Sequence, residues 1–322
     1  MDRPAGDRGH GFMKAAVIRE FGRLPELADF PEPEPRAGQV VLDVEAAGMN
    51  PVEIAIASGA FYGPRPALPM IAGREGVGRR RDGRRAVFGA CIAPYGSFAT
   101  QALVDEEVLV EIPDDIDGAT AVALWTAGLA ALLPLERMAR LRPGESVLVL
   151  GASGVVGQLA LQLARLMRAG RVVAAARSQA GLERSAELGA DGVVTIDDAF
   201  RDSLRGASER GYDVILDLLW AEPAEVALDA LAPWGRMVQV GSAAGTNIAL
   251  SAATMRSRNA TVMGYTTAQV PQPERVQAYE RLVAHARAGR LEIESERFSL
   301  DRIAEAWTRQ QQGPHRKIIV VP

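Results

Sequence analysis

The chain has 322 residues, of which 48% are apolar and 24% charged, and its formal net charge is −4. This length suits roughly two domains of ~150 residues each, and the composition excludes fibrous, collagen-like and disordered proteins. The single cysteine, Cys91, excludes an internal disulfide and a cysteine-rich zinc site, and the small net charge argues against a nucleic-acid partner.

Two segments bear on where the protein resides. Residues 1–12 are polar and glycine-rich and carry no basic segment followed by an apolar one, so we predict a disordered leader and a cytoplasmic protein. Residues 118–135 carry no charged side chain, and this stretch is about as long as the shortest membrane-spanning helices. Because they are rich in alanine and contain glycine, threonine and proline, we predict a buried helix and no membrane partner.

The first third of the chain favours strands. Short β-type runs alternate there with proline and glycine clusters, which predicts a β-rich, irregular first domain. The runs begin at Met13 and continue over residues 39–45, 85–88, 98–104 and 108–112.

After residue 144 apolar strands alternate with helices, which predicts right-handed βαβ units and a parallel sheet covered on both faces. The predicted strands cover residues 146–150, 171–176, 192–196, 212–218, 236–240 and 261–265, with helices that include 155–167 and 182–188. A helix over 273–289, a short helix over 301–310 and a strand over 317–321 are expected to return to the first domain.

The sharpest motif is the glycine-rich segment GASGVVG, residues 151–157, which follows a buried strand and opens a helix. Glycine at 154 lets the backbone approach a pyrophosphate, glycine at 157 lets the helix pack closely on the strand, and unpaired N–H groups at the helix start attract the anion. We therefore predict a dinucleotide site. Its contacts are Ser153, Gly154, Val155, Val156 and Gly157.

The end of the second predicted strand indicates which dinucleotide binds. An NAD-specific protein places an acid there, but this chain has Arg177 and Ser178. Arg177 could pair with a 2′-phosphate, which favours NADPH as the cofactor. The alternative is an ordinary surface arginine, because Lys14 and Lys317 are the only lysines among 36 basic residues.

On these segments the chain resembles the zinc-independent quinone oxidoreductase branch of the medium-chain dehydrogenase/reductases. The similar segments, which run in order from about Met13 to the C-terminus, include AGMNPVE from Ala47, AVALWTAGLAAL from Ala121, LRPGESVLVLGASGVVGQLALQLA from Leu141, ELGAD from Glu187 and YDVILD from Tyr212. The resemblance implies an α/β fold in which a GroES-like β-rich catalytic domain carries an inserted Rossmann cofactor domain. It divides the chain into a substrate domain at 13–134 plus 265–322 and a doubly wound, six-stranded NADP-binding domain at 135–264.

The resemblance also bears on zinc. Zinc-bearing relatives have a cysteine near Asn50 and a histidine at the position of Arg74, whereas the three histidines of this chain are scattered. We therefore predict no metal. Without a Lewis acid, the accessible hydride acceptors are quinones and α,β-unsaturated carbonyls.

Catalytic residues are implied in the first domain. The asparagine of the family lies beside the nicotinamide, so Asn50 is expected to orient the substrate or polarise its oxygen. Glu53 could act in catalysis or tie down its loop, and both interpretations stay open. Tyr62 could donate a proton, although a tyrosine in such a loop could equally form an apolar wall with Phe61.

Further cofactor contacts are implied in the second domain. Ala130 replaces a threonine that contacts the nicotinamide in relatives, so Thr126 could take over this contact. Gly241 and Ser242 follow a predicted strand at its carboxyl end, where ligands bind in open α/β sheets.

The leading hypothesis is an NADPH-dependent reductase of a small-molecule quinone or enone. A dedicated enoyl or enone reductase of a biosynthetic pathway is one alternative, and a low-turnover NADPH-binding protein with a structural or redox-sensing role is another. Relatives pair the edge strand at 261–264 across a two-fold axis, so we expect a homodimer. The arginine cluster at 79–85 is either a solvated hairpin tip or a site for a phosphate-bearing substrate.

Overall fold

The protein is described from a computed structural model that covers residues 11–208 and 210–322. The predicted leader at 1–12 therefore lies outside the described residues except for Gly11 and Phe12. Phe12 already belongs to the first strand, one residue earlier than predicted.

The strands, in chain order, are β1 (Phe12–Ile18), β2 (Glu26–Pro31), β3 (Gln39–Met49), β4 (Met70–Ile71), β5 (Glu75–Arg79), β6 (Arg85–Phe88), β7 (Gln101–Asp105), β8 (Val110–Glu111), β9 (Ser146–Leu150), β10 (Arg171–Ala176), β11 (Gly192–Thr195), β12 (Tyr212–Asp217), β13 (Leu231–Gln239), β14 (Thr261–Gly264), β15 (Ser295–Ser299) and β16 (Lys317–Val321).

The α-helices are α1 (Pro51–Ser58), α2 (Gly118–Ala123), α3 (Leu129–Leu133), α4 (Val155–Leu166), α5 (Gln179–Glu187), α6 (Phe200–Ala207), α7 (Ala221–Leu228), α8 (Ala252–Arg258), α9 (Gln272–Arg287) and α10 (Ile303–Gln311). Two π-helical turns, Leu124–Gly128 and Pro134–Met138, flank α3.

Contacts within the chain divide it into two compact units. The first unit comprises Met1–Trp125, of which residues 1–10 are not described, and Ser295–Pro322, whereas the second comprises Thr126–Glu294. The predicted boundaries near 134 and 264 differ from these. The physical reason lies in α9, which packs against α3 within the second unit and is tied to the Pro134–Met138 turn by Arg281, which donates to both carboxylate oxygens of Glu136 at 2.7 and 2.8 Å.

The first unit is built from two sheets. A three-stranded antiparallel sheet has the order β2-β1-β4, and a larger sheet has the order β15-β16-β3-β5-β6-β8, with β7 pairing to β3. The C-terminal strand β16 runs antiparallel to β3 and parallel to β15. Chain segments from both ends of the sequence therefore complete one sheet, as the predicted discontinuous domain requires.

The core of the first unit lies against the larger sheet. It includes the fully buried Leu42, Phe88 and Phe98, together with Trp307 of α10 and Ile318 of β16. β16 lies between two other strands with four of its five residues buried, which explains the apolar sequence that follows its first residue.

The second unit is a six-stranded parallel sheet with the order β11-β10-β9-β12-β13-β14. The chain proceeds from β9 outward to β11 and then crosses back to β12, which reverses the strand order between β9 and β12. This is the predicted doubly wound arrangement, and it puts the topological switch point at the carboxyl ends of these two strands.

The strand bounds of the second unit agree closely with the predicted ones, except that β13 begins at Leu231 rather than at 236. Tyr212 pairs with Leu231 before a register shift brings Val214 opposite Arg236, so the pairing starts earlier than the apolar pattern indicates. The sheet is covered by apolar side chains that include Leu148, Ile215 and Met237, all fully buried.

One apolar stretch has the dimensions of a membrane span. Among the described residues, Gly118–Met138 is long and apolar enough to cross a membrane by length and composition alone, but 78% of its most apolar window is buried in the protein. Such burial is typical of a core helix and agrees with the predicted buried helix.

Candidate functional site

The glycine-rich turn at the end of β9 has the geometry of a phosphate cradle. Gly151 has φ +82°, a left-handed conformation that glycine adopts without strain. A Cβ on Gly154 would meet only the carbonyl oxygen of Gly151, at 3.6 Å, whereas a Cβ on Gly157 would lie 2.5 Å from that oxygen. Residue 154 therefore borders open space, while residue 157 must be glycine for α4 to pack against the turn.

The start of α4 is open to an anion. Gly154 is the N-cap residue and no described side chain caps this helix, so its first N–H groups have no capping acceptor among the described side chains. Val155 and Val156 are partly exposed at this end. Backbone N–H groups beside a partly exposed glycine turn fit the pyrophosphate of a dinucleotide.

Ser153 connects the cradle to α5. It is buried, its carbonyl oxygen accepts from Nε2 of Gln158 at 2.8 Å, and its Cβ occupies the space that a Cβ on Gly181 would need, at 2.3 Å. The glycine turn and the first turn of α5 are therefore packed directly on each other.

The end of β10 carries the predicted 2′-phosphate residues. Arg177 is exposed and has no hydrogen bond or ion pair with a described residue. Ser178 is the N-cap of α5, and its Oγ accepts the N–H of Gly181 at 3.2 Å, so one lone pair is used for capping. The available guanidinium of Arg177 can bind an oxyanion without first breaking an ion pair.

The carboxyl end of β12 holds a strained loop at the switch point. Asp217 is fully buried, and its Oδ1 accepts the N–H groups of Leu219 and Trp220 at 2.9 and 3.0 Å. Its Oδ2 has no hydrogen-bond partner among the described residues. Burial raises the pKa of Asp217 to about 6, although the two N–H donors oppose this shift. Trp220 has φ +59° and ψ −160°, a backbone region that glycine normally occupies.

Gly241 and Ser242 lie beside this loop. A Cβ on Gly241 would come within 2.6 Å of the carbonyl oxygen of Leu218, so the close approach of the two loops requires glycine. Ser242 is exposed. The nicotinamide contacts of these two residues stay predictions, and the structural need for Gly241 is independent of them.

Thr126 lies in the π-helical turn Leu124–Gly128, and Ala130 lies in α3 directly after it. Both residues are partly exposed, while the residues between them are buried. Thr126 and Ala130 are four positions apart, and the contact of Thr126 with the nicotinamide stays a prediction. π-helical turns inside α-helices are frequent at functional sites.

In the first unit, four polar side chains form a buried cluster that we call the amide cluster. Its members are Asn50, Glu53, Glu75 and Lys317, which are 9%, 3%, 1% and 2% exposed. Lys317 Nζ donates to Asn50 Oδ1 at 2.5 Å and to Glu75 Oε1 at 2.6 Å, and Asn50 Nδ2 donates to the same Glu75 oxygen at 2.8 Å. Two of the three predicted catalytic residues are therefore brought together.

Glu53 caps the start of α1, and its carboxyl group has a raised pKa. It stands at the third position of α1 in a capping box with Asn50, and its Oε2 accepts the N–H of Asn50 at 2.7 Å. Its Oε1 is buried and has no hydrogen-bond partner in the part of the chain that the structure describes. Burial and the neighbouring Glu75 raise the pKa of Glu53 to about 7, against the opposing charges of Lys317 and Arg74. Glu53 is therefore poised to gain or lose a proton near neutral pH.

Tyr62 is separate from this cluster in its contacts. Its side chain is 85% exposed and stacks on Phe61, with the ring centroids 4.5 Å apart. The pair forms an exposed aromatic surface, and the role of Tyr62 as a proton donor stays a prediction.

Glu75 and Lys317 were missed by the sequence reasoning, although each carried a signal. Lys317 opens an otherwise apolar terminal strand, and Glu75 lies within a glycine-rich run. Charged groups in such surroundings need a partner of opposite sign. The two residues are 242 positions apart, which hides their pairing in a linear pattern.

The arginine cluster at 79–85 is mostly engaged in ion pairs. Four of its five arginines pair with carboxylates of Glu45, Glu106, Asp82 and Glu111, as Arg79–Glu45, Arg80–Glu106, Arg84–Asp82, Arg84–Glu111 and Arg85–Glu45. This pairing favours the interpretation as a hairpin tip over a phosphate-binding site.

For metals, residues 11–208 and 210–322 contain no group of three or more His, Cys, Asp or Glu side chains that could hold an ion. Cys91 is partly buried, and its thiol donates to the carbonyl oxygen of Arg74 at 3.7 Å. Burial raises the pKa of this thiol, so the thiolate form that binds zinc is disfavoured.

Known proteins are similar to this chain in sequence and in fold. A family model described as zinc-binding dehydrogenase matches residues 155–285. Human quinone oxidoreductase is 30% identical over 315 residues, which cover 92% of this chain and 94% of the relative. A phenolphthiocerol/phthiocerol polyketide synthase subunit of Mycobacterium tuberculosis is 30% identical over 97% of this chain but only 15% of its own length.

Among solved structures, the quinone oxidoreductase of Thermus thermophilus, which was also solved in complex with NADPH, matches with a TM-score of 0.83 at 31% identity. The match covers 96% of this chain and 100% of that one. This likeness confirms the predicted fold class, in which a GroES-like domain carries an inserted Rossmann domain.

Proposed function

Because the chain belongs to the quinone oxidoreductase family of the medium-chain dehydrogenase/reductases, we propose that it is an NADPH-dependent reductase of quinones or α,β-unsaturated carbonyls that works without zinc. The observation that carries this proposal is the cradle at Gly154, where open space adjoins an uncapped helix start. The quinone oxidoreductase of Thermus thermophilus has been solved with NADPH, which supports the same cofactor here.

The residues of the second unit fit this cofactor. The N–H groups at the start of α4 would bind the pyrophosphate, and Arg177 would bind the 2′-phosphate because its guanidinium is exposed and has no described partner. Thr126, Gly241 and Ser242 are proposed to lie at the nicotinamide. When bound, NADPH supplies a hydride from nicotinamide C4.

The residues of the first unit fit the acceptor. Reduction of a quinone or enone places negative charge on the acceptor oxygen, which must be stabilised by a hydrogen-bond donor and later protonated. Asn50 can serve as this donor, because its Nδ2 group is held within a buried and charge-balanced cluster. Glu53 holds a proton near neutral pH, so we propose that it supports protonation indirectly while it caps α1.

A dedicated enoyl reductase is the second candidate, and the match to the mycobacterial polyketide synthase subunit favours it. The acceptor in that case is also an activated alkene, so the same donor and cofactor would serve. A low-turnover NADPH-binding protein with a structural or redox-sensing role is the alternative of another class.

The proposed enzyme is cytoplasmic and homodimeric. β14 is a terminal strand of the six-stranded sheet, and its residues are partly or fully exposed. An open strand edge can pair with a second copy, which supports a dimer formed through this edge. Analytical ultracentrifugation at micromolar concentration would measure the mass directly, and a monomer would contradict the proposal.

The experiment that tests the activity follows the absorbance of NADPH with a panel of quinones, enones and enoyl thioesters. We expect turnover with at least one quinone or enone. Turnover with enoyl thioesters alone would favour the second candidate. Tight NADPH binding without oxidation by any acceptor would contradict both enzyme proposals and favour the redox-sensing role.

A further inference from the structure

Lys317 is a charged group in an apolar setting. It is the first residue of β16, is 2% exposed, and lies next to Ile318, which pairs with Met49 of β3. Removing an ammonium from water is costly unless hydrogen bonds and an opposite charge replace the lost solvation. We therefore expect the hydrogen bonds and the ion pair of Lys317 to offset the free-energy cost of its burial.

The backbone of β3 provides space for this side chain at Gly48. Gly48 of β3 pairs with Glu75, and a Cβ on Gly48 would lie 2.3 Å from Glu75 Oε1 and 2.9 Å from Lys317 Cε. A side chain at position 48 would therefore displace the ion pair from its present position. The space for the pair is thus a feature of the sheet itself.

The chemistry of Lys317 and Glu75 determines which way the Asn50 amide faces. An ammonium can only donate, so the amide atom that it contacts at 2.5 Å must be Oδ1. The other amide atom, 2.8 Å from Glu75 Oε1, is then Nδ2, which donates. A flipped amide would place an N–H against the ammonium and an oxygen against the carboxylate, and both contacts would be repulsive.

Counting donors leaves one N–H of Asn50 available. The amide has two N–H bonds, of which one is used by Glu75, and no other described residue accepts from Nδ2. Asn50 keeps 9% of its surface exposed, whereas Lys317 and Glu75 are almost fully enclosed. Asn50 is therefore the most exposed of these three residues.

We propose that Lys317 and Glu75 are positioning residues for the reduction, which hold the Asn50 amide so that its remaining N–H donates to the acceptor oxygen. Lys317 also draws electron density from the amide through Oδ1, which makes that N–H a stronger donor as the acceptor oxygen becomes negative. This inference rests on the proposed function, because it assigns Asn50 to the acceptor.

The test uses a variant that removes the hydrogen bonds of Lys317 and Glu75 to the Asn50 amide and leaves no unpaired charge of either residue. Lys317→Met alone would leave Glu75 buried without its counter-charge and could prevent folding, so the informative variant is the double substitution Lys317→Met with Glu75→Gln. Lys14→Met is the matched control, because Lys14 pairs with Asp29 at 2.8 Å on the surface, where the two side chains are 59% and 60% exposed.

The kinetic readout is a double-mutant cycle with Asn50→Ala. We expect Asn50→Ala to lower kcat about 100-fold and the double substitution to lower it roughly tenfold, with KM for NADPH changed less than about twofold. In the Asn50→Ala background the double substitution should cause no further loss, because there is no amide left to position. The Lys14→Met control should keep full activity.

The second readout is independent of activity. In a proton–nitrogen correlation spectrum of the protein, the Asn50 side-chain peak is assigned by its loss in Asn50→Ala, and the chain has only two other asparagines, Asn247 and Asn259. We expect the Asn50 amide proton that is bound to Glu75 to exchange much more slowly than the amide protons of Asn247, and this protection to disappear in the double variant.

The outcomes separate the two levels of the hypothesis. Equal losses of kcat in both backgrounds would overturn the positioning role alone. The same conclusion would follow if neither Asn50 amide proton exchanged more slowly than those of Asn247. Full kcat in Asn50→Ala would overturn this role together with the donor role of Asn50. Absence of NADPH oxidation by the unaltered protein would instead contradict the proposed function. The exchange experiment would still show whether Lys317 and Glu75 hold the Asn50 amide in place.

Discussion

The Cβ of Ser153 fills the space in which a side chain at Gly181 would begin, since a Cβ on Gly181 would lie 2.3 Å away. Ser153 belongs to the glycine-rich turn and Gly181 to the first turn of α5. The glycine-rich turn therefore packs against α5, the helix that follows the neighbouring strand β10. This packing requires glycine at position 181.

We expect Gly181→Ala to destabilise the protein by about 1–3 kcal/mol, because the added methyl group must displace Ser153 from a packed position. The same change should weaken NADPH binding, since Ser153 precedes the cradle. Gly206→Ala in α6 is the control. Beyond its chain neighbours and the backbone of its own helix, no atom of residues 11–208 and 210–322 lies within 4 Å of its Cβ position, so it should stabilise the protein by about 0.5–1 kcal/mol. Thermal melts and NADPH titrations of both variants would decide this, and equal melting temperatures would contradict it.

The two other glycines of the turn should respond in opposite ways. Gly157→Ala places a methyl group 2.5 Å from the carbonyl oxygen of Gly151 and should cost about 1–3 kcal/mol or more of folding stability. Gly154→Ala meets only that oxygen at 3.6 Å, so it should fold normally but raise the Kd for NADPH by roughly tenfold. Urea unfolding and fluorescence titration separate the effects, and unchanged NADPH affinity in Gly154→Ala would argue against the cradle.

Arg177→Ala should raise KM for NADPH at least about tenfold and leave KM for NADH within about twofold, because only NADPH carries the 2′-phosphate. Arg256→Ala is the matched control, since Arg256 of α8 is also exposed and has no described partner. Steady-state kinetics with both cofactors would measure the difference. Equal changes for NADPH and NADH would remove Arg177 from the 2′-phosphate site.

The buried Glu53 should make stability depend on pH. Its pKa is about 7 in the folded protein, against 4.5 as the ordinary value for glutamate, because burial and Glu75 outweigh the charges of Lys317 and Arg74. Between these pH values the unfolded chain has released the proton while the folded chain retains it. Folding stability therefore falls as pH rises from about 4.5 to about 7, by roughly 3 kcal/mol in total.

Glu53→Gln should abolish this loss, because glutamine keeps the oxygen that accepts the N–H of Asn50 but cannot titrate. Asp217→Asn serves as the comparison, since the raised pKa of Asp217, about 6, produces a similar loss at lower pH, between about 3.8 and 6. Urea midpoints measured at about pH 5 and about pH 8 would show the effect. A Glu53→Gln variant that loses as much stability over this interval as the unaltered protein would show that Glu53 is not the group responsible.

Much of the second unit could be predicted from local patterns. Strands covered on both faces are continuous apolar runs, and the predicted strand at 146–150 coincides with β9. The unit boundaries were less accessible. α9 carries no local mark of the helix on which it packs, and its link from Arg281 to Glu136 joins residues 145 positions apart. Contacts within the chain group this helix with the second unit, whereas the sequence pattern predicted that it returns to the first domain.

The sequence alone determined that the chain has a dinucleotide cradle on a doubly wound sheet, because a strand, a glycine turn and a helix are consecutive in the chain. It also indicated Asn50 and Arg177 as candidates. Only the tertiary structure decided that Asn50 is locked by Lys317 and Glu75, that Glu53 titrates near neutral pH, and that four of the clustered arginines are paired. Hydrogen bonds, burial and charge pairing depend on distances between residues remote in the chain, and folding sets those distances.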